Sequence, residues 1–69
     1  MNHMENLTGL IMEYESGELN DRETIKMFAA MIESGLAWQL QGHYGRSAAD
    51  LIRTGYISPK GKVLKYEID

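Results

Sequence analysis

The chain has 69 residues, a net charge of −3 and no cysteine. A chain of this length forms one small domain, and a composition of 43% hydrophobic and 25% charged residues is globular rather than disordered. The lack of cysteine excludes disulfides, thiol nucleophiles and thiolate zinc sites. Because the two histidines, His3 and His43, lie far apart in the sequence, we expect no metal site and no cofactor.

The hydrophobic runs are far shorter than the ~20 residues that span a bilayer. The first six residues have neither the basic region nor the apolar region of a secretion signal. We therefore expect a cytoplasmic protein without membrane contact, in which residues 1–3 are flexible or were added in cloning. A small domain without disulfides or metal commonly completes its core by self-association, so we also expect a homo-oligomer.

The first predicted element is a helix over residues 4–15. Its apolar stripe has helical spacing and consists of Leu7, Leu10, Ile11 and Tyr14. The glutamates Glu5, Glu13 and Glu15 are expected to face solvent. Gly17 ends the helix, because glycine adopts the left-handed conformation without steric cost.

The second predicted helix begins after Asn20, a favoured N-cap residue, and Glu23 completes a capping box with it. It ends at Ser34–Gly35. Two adjacent stripes make its apolar arc wide; they consist of Ile25, Phe28, Ala29 and Ile32, and of Met27 and Met31. Such a helix lies centrally in a bundle or buries one flank against another subunit.

Two further helices are predicted between Gly35 and Gly55. The first is a short helix over Leu36–Gln41, with Leu36 and Leu40 facing inward. The second begins near Arg46 or Ser47, because Ser47 and Asp50 match the S-x-x-D capping pattern. Gly55 ends it.

After Gly55 the pattern changes to two extended runs around the turn Pro59–Lys60–Gly61. In the second run, Leu64, Tyr66 and Ile68 alternate with charged residues as in a half-buried strand. The predicted fold is therefore mainly α: a compact bundle of three to four short helices over residues 4–55. Residues 56–69 form a short β-hairpin or an extended tail.

The segment 38–47 concentrates the side chains that could bind a ligand. Its candidate binding residues are Trp38, Gln39, Gln41, His43, Tyr44, Arg46 and Ser47. Gly42 and Gly45 would let backbone N–H groups approach an anion, which Arg46 would hold while aromatic rings stack on a base. A plainer interpretation stays open: the glycines only form a turn, Trp38 lies in the core, Tyr44 packs on the second helix, and Arg46 pairs with Asp50.

We expect no catalytic activity. His43, Ser47 and Asp50 have spacings that any polar loop and helix start would give. The paired carboxylates of the first helix lie on its predicted solvent face, where nothing raises a pKa. A chain of 69 residues also has little room for a pocket that excludes water.

The run GLAWQLQGHYGR, at residues 35–46, resembles a family of short proteins encoded by tailed bacteriophages. The resemblance extends over about residues 4–57 and carries no assigned activity. It implies expression in the cytoplasm of an infected bacterium. Small phage accessory proteins often bind and disable a host factor or a host defence system, which is an analogy between protein classes rather than an argument from a site.

Three functions follow from these observations. The first is a non-catalytic binding protein that inhibits a host factor or defence system, by binding a protein or by sequestering an anionic, nucleotide-like ligand. The second is a small winged-helix-like DNA-binding regulator, and its candidate contacts are Arg46, Arg53, Lys60, Lys62 and Lys65. The third is a structural or assembly component of the virion.

Overall fold

The computed structural model describes residues 3–40 and 42–66, with side chains in the first helix described from Leu7 onward. Three α-helices, α1 (His3–Glu15), α2 (Asp21–Ser34) and α3 (His43–Arg53), are joined by loops and by a 3₁₀ turn at Leu36–Trp38. The mainly helical class is thereby confirmed. No helix in this part of the chain has the length and apolarity to cross a membrane.

Helix α1 begins one residue before its predicted start and ends where predicted. The predicted stripe packs on the core: Leu7 is buried, and Leu10, Ile11 and Tyr14 are half-buried. Gly17 has the expected left-handed backbone (φ +79°).

Helix α2 is the centre of the bundle. The predicted capping box is present: Glu23 N donates to Asn20 Oδ1 (2.8 Å), and Asn20 N donates to Glu23 Oε1 (3.0 Å). Gly35, in the left-handed conformation (φ +84°), ends the helix. The six residues of both apolar stripes are buried, and Met27 and Met31 have no exposed surface. The wide apolar arc is therefore covered within one copy of the chain.

The predicted start of the last helix is wrong. Helix α3 begins at His43, after Gly42 (φ +61°), and no side chain caps it, so Ser47 and Asp50 do not form the expected cap. Gly45 lies inside the helix rather than in a loop. A Cβ atom at Gly45 would lie 3.5 Å from the carbonyl oxygen of Ala37, so α3 and the 3₁₀ turn are in close contact there.

The predicted C-terminal hairpin is not supported. The described residues after α3 contain one antiparallel bridge, Ile57 to Val63, and no regular strand. Leu64, expected to face inward, is 57% exposed. The amides of Leu64 and Lys65 both donate to the carbonyl of Tyr56 (2.8 and 3.3 Å), which ends the regular register, and Ile68 lies outside the described residues.

The C-terminal segment nevertheless completes the core. Ile57 is fully buried. Gly61 (φ +94°) rests on the backbone of α2, since a Cβ atom there would lie 2.7 Å from both Ala29 O and Glu33 N. The bridge and this contact fix the segment against α2.

Candidate functional site

The candidate segment 38–47 divides into exposed and buried residues. Trp38, Gln39, His43 and Arg46 are exposed. Ser47 is half-buried, Tyr44 is buried, and Gln41 lies outside the described residues. The segment therefore exposes four of its described candidate side chains and buries Tyr44. It is not a loop that presents every side chain to a ligand.

Trp38 is 52% exposed, so the interpretation that placed it in the core is wrong. The 3₁₀ turn explains its position. Ala37 has no exposed surface and takes the inward position of the turn, while Leu36 and Leu40 are half-buried on the same side, as predicted. The indole that follows Ala37 is left in solvent.

Tyr44 belongs to an aromatic cluster instead of the surface. Its ring lies 4.2 Å from the His43 ring, 6.0 Å from Tyr14 and 6.3 Å from Phe28, measured between centroids. These are ordinary distances for packed aromatic rings. Tyr44 is only 7% exposed and its ring neighbours Phe28 of α2, which agrees with the alternative that Tyr44 packs on the second helix and leaves little of the ring for a bound base.

The Tyr44 hydroxyl donates a hydrogen bond of 2.5 Å to Glu15 Oε2. Burial of the phenol raises the pKa of Tyr44 to about 12, and the hydrogen bond and charge of Glu15 act in the same direction. A phenol with this pKa stays protonated at neutral pH, so it acts as a fixed donor between α1 and α3 and supplies no base.

The basic residues of α3 are not equivalent. Arg53 Nη2 lies 3.1 Å from Asp50 Oδ1, so Asp50 pairs with Arg53 instead of with Arg46, the alternative left open by the sequence. Among the described side chains, Arg46 has no carboxylate within ion-pair distance. Its guanidinium is exposed and can pair with a phosphate or carboxylate of a binding partner.

The remaining candidates for DNA contact lie in the C-terminal segment. Lys60 and Lys62 are exposed on the turn that rests on α2. The ammonium of Lys65 lies 4.7 Å from the ring centre of Tyr56, a cation–π distance.

A cleft of about 420 Å³ between α2 and the C-terminal segment was not predicted. Tyr66 and Val63 line one side, and Leu10 and Ala30 lie among the apolar residues opposite. The sequence signal nearest to this cleft is Gly61, whose place in Pro59–Lys60–Gly61 predicts only a turn. Its close contact with α2 could not be inferred without the tertiary structure.

The model of a family described as "Domain of unknown function (DUF7417)" matches residues 1–69, the whole chain. The chain belongs to the DUF7417 family. No curated protein and no solved structure matches this DUF7417 chain significantly. The family description agrees with the expected membership of a family of unknown function, and it assigns no activity. The function of the DUF7417 chain must therefore be argued from its surface.

Proposed function

We propose that this DUF7417 protein is a non-catalytic binding protein that contacts a protein partner. Its contact surface consists of Trp38, Gln39, His43 and Arg46, and we call it the Trp38 surface. The observation that carries the proposal is the 52% exposure of Trp38 in a chain that otherwise buries its large aromatic residues at least in part.

The composition of the Trp38 surface favours a protein partner. Trp and Arg are enriched among the residues that dominate binding energy at protein interfaces. An exposed indole gains free energy when a partner covers it, at roughly 25 cal/mol per Å² of apolar area. Arg46 adds a guanidinium that no described carboxylate neutralises. A partner that offers an apolar pocket beside an acidic group would satisfy both side chains.

A small nucleotide-like ligand has less support. Tyr44 is packed in the core, and Gly45 is a helical residue that contacts Ala37. Tyr44 and Gly45, two residues of the expected anion-binding loop, thus contribute to packing within the fold. Among the described candidates, Trp38, Gln39, His43, Arg46 and the half-buried Ser47 remain for such a ligand.

The proposed setting is the cytoplasm of a bacterium infected by a tailed phage, with a host factor or defence protein as the target. The support is the resemblance of residues 35–46 and the small size of the chain. DNA binding has less support, because Arg53 is paired with Asp50 and the chain has a net charge of −3. A gel shift at low salt would reveal such binding, and detection of the chain in purified particles would indicate the structural role.

Site-specific photo-crosslinking in bacterial cells tests the proposal. A photoreactive phenylalanine derivative replaces Trp38 in one variant and Met12 in a matched control; Met12, on α1, is 66% exposed. We expect one discrete adduct with a host protein at position 38 and none at position 12. Added wild-type protein, which lacks the photoreactive residue, should compete for the host protein and reduce the amount of adduct. Equal adduct patterns at both positions, or none at position 38, would contradict the proposal.

The small-ligand version is tested separately by thermal unfolding with a panel of nucleotides. Because Trp38 is the only tryptophan, its fluorescence reports both unfolding and occupancy of the surface. The protein-binding proposal predicts no shift of the melting temperature. If a nucleotide raises the melting temperature of the wild type but not of Arg46→Ala, the protein sequesters an anionic ligand, and the proposal of a protein partner is wrong.

A further inference from the structure

The cleft between α2 and the segment 61–66 is a second surface, and it shares no residue with the Trp38 surface. Its lining includes the apolar or small residues Leu10, Ala29, Ala30, Gly61 and Val63. Its charged residues are Glu23, Lys26 and Glu33, all exposed on α2. The charged part of the lining therefore has a net charge of −1.

The cleft extends along α2. Glu23 and Glu33 are ten positions apart on α2, which corresponds to about 15 Å along a helix. Gly61 contacts α2 at Glu33, and Arg22 lies 4.3 Å from the ring centre of Tyr66. The C-terminal segment thus runs antiparallel to α2 and forms one wall. A length of about 15 Å accommodates four to five residues of extended chain.

In the wall formed by the C-terminal segment, Val63 has a backbone N–H and a C=O with no partner among the described residues. Two hydrogen bonds flank the Ile57–Val63 bridge, Ser58 N to Lys62 O and Leu64 N to Tyr56 O (each 2.8 Å). In this antiparallel pattern the N–H and C=O groups of Val63 point away from Ile57. No described residue bonds to either group. The amides of Gly61, Leu64 and Lys65 donate to Ser58 O and Tyr56 O, so Val63 is the residue on this edge of the segment that can exchange two backbone hydrogen bonds with another extended chain.

The same edge carries side chains that complement the cleft. Leu64 is 57% exposed, and Lys62 and Lys65 are exposed on either side of it. The edge therefore combines an apolar side chain and two positive charges, while the cleft combines an apolar floor with a charged lining of net −1. The edge of a second copy of the chain therefore complements this cleft in apolar character and in charge.

We propose that two copies of the chain form a dimer in which each cleft receives the segment Lys62–Tyr66 of the other copy. The two edges pair antiparallel about Val63, so that each copy contributes the same edge and the same cleft, as two-fold symmetry requires. This register places Lys65 of the second copy opposite Gly61. Glu33, whose Cβ atom lies 2.8 Å from the Cβ position of Gly61, then supplies a carboxylate to that lysine.

Light scattering over a range of concentrations tests the dimer. The wild type is expected to have the mass of two chains, and Leu64→Glu the mass of one, because a charge would be buried in the paired edge. Met12→Glu is the matched control, since Met12 is 66% exposed on α1 and should leave the mass unchanged. Circular dichroism verifies that each variant is folded.

Charge reversal distinguishes an interface from a folding effect. Glu33→Lys should raise the dissociation constant at least tenfold, and the added change Lys65→Glu should restore dimerisation by exchanging the charges of the pair. A monomeric wild type at millimolar concentration would overturn the proposal. A dimer that survives Leu64→Glu but is lost in Trp38→Ala would overturn it too, and would place self-association on the Trp38 surface.

Discussion

The hydroxyl of Tyr44 donates a hydrogen bond to the carboxylate of Glu15, a residue 29 positions earlier in the chain. This contact joins the last residue of α1 to the first turn of α3. The sequence predicts Glu15 on the solvent face, and it predicts that Tyr44 either stacks on a ligand or packs on α2. Because the contact depends on tertiary packing, no local pattern contains it.

Replacement of Tyr44 by phenylalanine measures this hydrogen bond. The ring and its contacts with Phe28 and His43 remain, while the donor to Glu15 is lost. We expect the free energy of unfolding to fall by about 1 kcal/mol, since the exposed carboxylate regains water as its partner. Urea denaturation at pH 7 measures the loss. Tyr56→Phe, with no described hydrogen bond at its hydroxyl, is the control, and equal losses in both variants would contradict the assignment.

The raised pKa of Tyr44 predicts a loss of stability at alkaline pH. Its pKa is about 12 in the folded chain, against 10.0 without the protein environment. A raised folded pKa means that this contribution is fully present below about pH 10 and is lost as pH rises towards 12. Comparison of urea midpoints at pH 9 and pH 11.5 checks this. The wild type should lose its advantage over Tyr44→Phe across that interval, and a constant difference would refute the prediction.

The parts of the fold that local chemistry determines were predictable. The Asn20–Glu23 capping box fixes the start of α2, and the left-handed Gly35 fixes its end. The start of α3 was not predictable, because Gly42 and Gly45 both resemble loop residues. The structure places Gly45 inside the helix, with its Cβ position in ordinary van der Waals contact with Ala37 O.

The same limit applies to the candidate site. The spacing of apolar residues predicts which face of a regular helix is buried. It does not show whether an apolar residue in a short turn points inward. In the 3₁₀ turn Ala37 takes the buried position and Trp38 is 52% exposed. Both residues are apolar and adjacent in the sequence, so only tertiary packing decides which of them is buried.

Substitution of Gly45 by alanine tests whether this glycine serves the helix or a ligand loop. Its backbone lies outside the left-handed region, and the new Cβ atom would make an ordinary 3.5 Å contact with Ala37 O. We expect alanine to stabilise the fold by about 0.5 kcal/mol, because it has the higher helix propensity. The free energy of unfolding in urea measures the change. Gly45→Val, which adds bulk towards Ala37, should destabilise it, and a destabilised alanine variant would show that the contact is tighter than described.

Gly61 is expected to be the glycine least tolerant of substitution. Alanine there would adopt a left-handed backbone (φ +94°), and its Cβ atom would lie 2.7 Å from Ala29 O and Glu33 N. Gly17 is a matched control, because its φ is +79° and nothing lies within 4 Å of its Cβ position. Gly17→Ala should lower the free energy of unfolding by about 1 kcal/mol, the cost of the left-handed conformation alone. Gly61→Ala should lower it by about 3 kcal/mol, because the turn must also move away from α2. Urea denaturation of both variants gives the comparison. Equal losses of free energy in the two variants would mean that the Gly61 turn does not contact α2. The C-terminal wall of the cleft would then not be held against that helix.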